Sequence, residues 1–169
     1  MNKHVVAVLT VPPMDCPADI VFVLDESGSI GSTNFELMKS FLSQLVARLD
    51  IDSGNTRVGL VTYSTNVGTG FNLSAHSSVA SVQAAISSLT YSAGGTNTAA
   101  ALAHVRTTML TSAAGDRTNV PNVVVVLTDG QSDNMNYTQV SIEYTVISAT
   151  ARFMFMFIHQ ETNNNRLTV

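Results

Sequence analysis

The chain has 169 residues, 45% of them hydrophobic and only 12% charged, with a net charge of −4. That length suits one domain with a sizeable core, while the charged fraction falls well below the roughly 25% usual for a soluble domain. Eight basic residues without a basic cluster argue against a nucleic-acid partner, and no apolar run approaches the roughly 18 residues that would span a membrane.

Lys3 and His4 precede a short apolar stretch, Val5 to Val11. It lies at the lower limit for the apolar core of a secretory signal, about 7–15 residues, and lacks a clean small-residue cleavage site. Residues 1–17 therefore read as an N-terminal linker or a weak signal-like segment, closed by Pro12-Pro13. The single cysteine, Cys16, cannot form an internal disulfide. It is an ordinary thiol or a bridge to another cysteine.

Residues 19 to 24 are apolar on both faces apart from Asp19, as in a strand buried within a parallel sheet. Thr33 with Glu36 three residues later predicts a capping box. A strong amphipathic helix follows on Phe35, Met38, Phe41, Leu42, Leu45, Val46 and Leu49. Arg57 to Tyr63 and Val67 to Leu73 predict two strands, and their short connection makes them an antiparallel hairpin. Val79, Val82, Ile86 and Leu89 mark a second helix. Gly94-Gly95 breaks the chain before a third, Thr96 to Leu110. Val120 to Thr128 is the clearest buried strand and ends on Asp129-Gly130. Val140 to Ile147 fits a strand or a helix, and Phe153 to Ile158 a final buried strand or an unprotected edge. The expectation is an α/β fold: a doubly wound, mostly parallel sheet with one antiparallel edge strand and helices on both faces.

In such a sheet, ligands bind beyond the carboxyl ends of the strands, where strand order reverses. Asp25 and Asp129 both fall at carboxyl ends, and Gly94 to Thr98 precedes a helix. Asp25, Ser27 and Ser29 alternate, so they can face one side of a turn, and Gly28 lets the backbone bend. Asp and Ser also favour turns on their own account. The joint set Asp25, Ser27, Ser29, Thr96 and Asp129 is all oxygen, which suits a hard cation: Mg2+, or Mn2+ or Ca2+ in its place. Glu26 points away from the alternating set and reads as a rim residue that could tune ligand choice. Asp133 reads as a turn residue. His4, His76, His104 and His159 lack metal-ligand spacing, and no Ser-His-Asp arrangement is visible. Asn72-Leu73-Ser74 and Asn136-Tyr137-Thr138 fit the N-glycosylation pattern, a short motif frequent by chance.

The segments DIVFVLDESGSIG, TRVGLVTYS, GGTNTAAAL and VVVVLTDGQS resemble, in order and spacing, the von Willebrand factor type A domain of the collagen VI, matrilin and integrin inserted-domain branches. The resemblance runs from about Cys16 to Asn134. It divides the chain into the 1–17 segment, a type A core over 18–134, and a divergent segment over 135–169, with the last strand and helix of the family expected to be missing. It implies a metal-ion-dependent adhesion site on Asp25, Ser27, Ser29, Thr96 and Asp129. The two serines would hold Mg2+ directly, Thr96 directly or through water, and the acids through water or hydrogen bonds. The cation would take one more carboxylate, from a Glu or Asp of an extracellular-matrix or cell-surface protein such as collagen. The implied protein is secreted and non-enzymatic, and part of a larger multidomain assembly. Two other readings stand beside it. One is a structural matrix or biomineral component with an occupied but unused metal site. The other is a Mg2+-dependent phosphoryl-transfer enzyme, disfavoured because no Lys lies in the three candidate loops.

Overall fold

The computed structural model describes residues 17–129, together with the backbone of the strands at 151–157, 159–160 and 167–168. The expectations for the first sixteen residues, Cys16, Gly130, Asp133, the 136–138 tripeptide and 140–147 lie outside the described residues. Five strands form one sheet: β1 (Ala18–Asp25), β2 (Thr56–Tyr63), β3 (Val67–Phe71), β4 (Asn122–Thr128) and β5 (Ala151–Phe157), in the order β3-β2-β1-β4-β5. Only β3 is antiparallel. Two short strands, β6 (His159–Gln160) and β7 (Leu167–Thr168), pair separately. The expected α/β class is therefore observed, and the 153–158 run supplies the edge strand β5, beginning two residues earlier.

Alternation along the strands sorts side chains onto two faces. Ile20, Phe22 and Leu24 of β1 join Val58, Leu60, Val125 and Leu127 on one face. Helices α1 (Gly31–Val46) and α2 (Val79–Ser87) cover it with Phe35, Met38, Leu42, Val82 and Ile86. Val21 and Val23 join Val61, Tyr63, Val124 and Val126 on the other. That face is covered by α3 (Thr98–His104), which continues as a π-helical turn over Val105–Met109. Leu102, Val105 and Met109 are buried there, as their spacing predicts. Gly59 makes room on this face, since a Cβ would come within 3.1 Å of Met109 Cε.

The Thr33–Glu36 capping box does not form. Helix α1 begins at Gly31, with Ile30 at the capping position and no side-chain cap. Thr33 is the third residue of the helix, within its first turn and not at the capping position that precedes it. Glu36 instead meets Lys39 Nζ at 2.9 Å, and the same Nζ donates to Leu89 O at 2.9 Å, tying α1 to the end of α2. Helix α2 carries a true capping box, between Ser78 and Ser81.

At the amino end of the sheet, Asp19 is fully buried and faces Arg117. Arg117 Nε and its backbone N–H donate to the carboxylate at 2.9 and 2.8 Å. The rest of the guanidinium donates to Ala18 O, Asn55 O and Gly54 O. This one side chain joins the start of β1 to the loops entering β2 and β4. Truncation leaves an uncompensated buried charge. Arg117→Ala should lower unfolding free energy by about 3–5 kcal/mol in urea titrations, while cation stoichiometry at the far end of the sheet is unchanged.

Candidate metal centre

Strand order reverses between β1 and β4, so the crevice at their carboxyl ends is the expected ligand position. Asp25 ends β1 in register with Tyr63 of β2, and Thr128 of β4 lies one step beyond the Leu24–Leu127 pair. All three share the α3 face of the sheet by alternation.

Asp25 is fully buried, and its oxygens are already engaged. Oδ1 accepts from Ser27 N at 2.9 Å; Oδ2 accepts from Thr128 Oγ1 at 2.8 Å and from the Tyr63 hydroxyl at 3.4 Å. Thr98 Oγ1 donates in turn to the Tyr63 hydroxyl at 3.2 Å. The carboxylate thus stands behind the turn as a fixed negative charge with few lone pairs left. In front of it, Ser27 Oγ and Ser29 Oγ are 3.1 Å apart, the first fully buried and the second exposed.

The Gly-Gly-Thr loop is clamped against this turn. Gly28 N donates to Gly94 O at 2.9 Å, and the Tyr91 hydroxyl to Ser27 O at 2.9 Å. From the other side, Gly95 N donates to Thr65 Oγ1 and Asn97 N to Ser64 O, both at 2.8 Å. Gly94 has φ +127°, and a Cβ there would come within 3.0 Å of Thr65 Oγ1, so glycine is required on both counts. Ala93 beside it also has positive φ, 59°. Thr96 is buried within this loop. Asp129 follows Thr128, half-buried, and its charge reaches Asp25.

Burial pushes the Asp25 carboxyl above its ordinary pKa; hydrogen bonds from Ser27 and Thr128 oppose that shift, and the Asp129 charge adds to it. Burial likewise pushes the Tyr63 phenol well up, with Asp25 as the second cause, so it stays protonated as a donor.

The geometry brings Asp25, Ser27 and Ser29 into one turn, with the Thr96 loop fastened to it and Asp129 at the end of the adjacent strand. Glu26 departs from expectation. It is only 4% exposed, and β3 passes over it: a Cβ at Gly68 would strike Glu26 Oε1 and Thr62 Oγ1. Its carboxylate lies under the hairpin, not on the rim. Tyr63, Thr98 and Thr128 were not among the candidates. The signal for Tyr63 and Thr128 is the strand register, which lines them up with Asp25, and that for Thr98 is the packing of α3 over Tyr63; none lies in a local motif.

The donor set fits a hard cation. Neighbouring vertices of a Mg2+ octahedron are about 3 Å apart for bonds of about 2.1 Å, close to the 3.1 Å between the serine hydroxyls. Among the described residues no three His, Cys, Asp or Glu side chains group as a ligand cluster, so any cation here relies on hydroxyls backed by carboxylates.

A doubly wound sheet with an oxygen-lined crevice at its switch point defines a Rossmann-like α/β domain. The chain belongs to the von Willebrand factor type A domain family, whose model matches residues 19–167. It is 45% identical over 120 residues to the collagen alpha-4(VI) chain of Mus musculus, covering 70% of this chain and 5% of that one. It is 42% identical over 118 residues to matrilin-1 of Mus musculus, covering 68% and 24%. The chain thus spans a small part of these relatives. Among solved structures, proximal thread matrix protein 1 from the mussel byssus matches with a TM-score of 0.78 at 25% identity, over 86% of this chain and 38% of that one. A second structure of that protein, with a zinc-occupied MIDAS motif, matches at 0.73 and 28% identity, covering 86% and 36%.

A raised Asp25 pKa has a definite sign. The fold favours the protonated acid, so the stability it contributes is present below the unfolded-state pKa of about 3.9 and is lost as pH rises through the higher folded-state value. In EDTA at pH 7, Asp25→Asn should therefore raise the melting temperature relative to the wild type. The gain should vanish below about pH 4, and Mg2+ should no longer shift the transition of the variant.

Proposed function

We propose that this domain is a non-enzymatic adhesion module. It binds an acidic residue of an extracellular-matrix or cell-surface protein, such as collagen, through a divalent cation held by Asp25, Ser27, Ser29, Thr96 and Asp129. The observation that carries this reading is the pair of hydroxyls 3.1 Å apart in front of a buried carboxylate whose own oxygens are already taken. Neutral hydroxyls in contact with a dication leave much of its charge uncompensated. Such a cation attracts one further carboxylate, and the module needs no bond to be made or broken. Ser27 and Ser29 would supply direct ligands and Thr96 a ligand or a hydrogen bond to bound water. Asp25 and Asp129 would supply charge and orientation.

Mg2+ is the cation the oxygen set favours, with Mn2+ or Ca2+ as substitutes. The zinc in the mussel protein fits the same chemistry in one respect: at a given oxygen site, Zn2+ generally binds more tightly than Mn2+. An extracellular location is inferred from the collagen and matrilin relatives.

Mg2+ titration by calorimetry should give one site per chain, for which Mn2+ and Zn2+ compete. Asp129→Ala should abolish both cation binding and capture of collagen-coated surfaces, while the circular dichroism of the sheet is retained. Thr128→Val, which removes one donor to Asp25, should weaken Mg2+ by roughly 10–100-fold. Ligand capture that survives EDTA and Asp129→Ala alike would refute the cation bridge.

A further inference from the structure

Strand β3 is the outer strand of the sheet beside β2, and nothing among the described residues pairs with its far side. Its sequence is Val67-Gly68-Thr69-Gly70-Phe71, uncharged, with the three central residues exposed. An uncharged, proline-free edge of this kind templates pairing with another chain unless something covers it. An open groove of about 310 Å³ runs along the same edge, lined by Phe71, Asn72, His104 and Thr108 among others.

The residue that leaves β3 beside this groove is Asn72, the first of Asn72-Leu73-Ser74. Leu73 is fully buried, so it anchors the tripeptide, and both Asn72 and Ser74 are exposed. Ala75 N donates to Asn72 O at 3.1 Å, and Ser74 N to Ala114 O at 3.2 Å, which fixes the turn. The Asn72 carboxamide has no hydrogen-bond partner among the described residues. A sugar in place of one of its amide hydrogens would break no contact of the fold.

We infer that Asn72 is an N-glycan acceptor and that its glycan screens the outer edge of β3. In the transfer, Asn72 Nδ2 attacks the anomeric carbon of a lipid-diphosphate-linked oligosaccharide. The C–N bond forms, the carbon–oxygen bond to phosphate breaks, and the lipid diphosphate leaves with its electron pair. The amide gives one proton to a base of the transferase. The inference rests on the extracellular reading above, because only a chain entering the secretory pathway meets that donor. It does not depend on the cation site.

The test is secretion of the full 169-residue chain from animal cells behind an added signal peptide. Enzymatic deglycosylation in isotope-labelled water marks each formerly occupied asparagine as a labelled aspartate. The label is expected at position 72 in most molecules, and is read separately from Asn136. Asn72→Gln and Ser74→Ala should each remove one glycan mass step, whereas Ser74→Thr should keep it. Both glycan-free variants should self-associate with rising concentration in sedimentation runs where the glycosylated chain stays monomeric. An unlabelled Asn72 in the secreted wild-type chain overturns the acceptor assignment. Variants as monomeric as the wild type overturn the screening role. Mg2+ titration of the same samples keeps either failure distinct from failure of the adhesion reading.

Discussion

The carboxyl end of this sheet is organised around one buried carboxylate. Asp25 ends the central strand with no exposure, and an ionised acid there is tolerated only if its surroundings are built for it. Two neighbouring strands and the turn that follows β1 contribute to that surrounding. Tyr63 comes from β2, Thr128 from β4, and the backbone of Ser27 from the turn of β1 itself. The parallel register places these groups in one row, so the pairing of the strands and the hydrogen bonding of Asp25 constrain each other.

The same row governs how the loops are held. With Asp25 fixed, the turn through Ser27 and Ser29 has a defined floor, and Gly28 fastens the Gly94 loop to it. The β2–β3 hairpin grips that loop from the far side through Ser64 and Thr65. Two of the three segments at the crevice are thus tied to each other by direct hydrogen bonds. The third, carrying Asp129, continues from Thr128, whose hydroxyl touches Asp25. Preorganisation of this kind reduces the ordering cost of binding a cation or a partner.

Much of this was legible in the sequence because its signals are local. Continuous apolar runs marked the central strands, and the spacing of Leu102, Val105 and Met109 marked the inner face of the third helix. The Asp-x-Ser-x-Ser turn and the Gly-Gly-Thr loop stand out by composition alone. What escaped was set by contacts between strands. The bonds of Tyr63 and Thr128 to Asp25 need a strand register, and the Thr98 bond to Tyr63 needs α3 packed on the sheet, neither of which a single segment encodes. Thr33 and Glu36 have the letters of a capping box, but the helix starts two residues earlier, directly from the serine turn. Glu26 has the polarity of a rim residue, yet the glycines of β3 let the hairpin close over it. The π-helical turn at Val105–Met109 likewise keeps the apolar spacing of an α-helix while altering its hydrogen bonds.

Strand β1 carries two fully buried acids on the same face, one at each end. Asp19 is neutralised by the chain's own Arg117. Asp25 forms no ion pair with a basic side chain among the described residues, only hydrogen bonds from neutral groups and the N–H of Ser27. One end of the strand is therefore electrically self-sufficient, and its tightness is an internal property of the polypeptide. At the opposite end the described residues offer hydrogen bonds and no ion pair, so under the proposed cation site the rigidity of that pole would track the ionic composition around the molecule. A single strand thus joins an anchor closed by an internal ion pair to a pole that, on the proposed reading, is completed from outside the polypeptide.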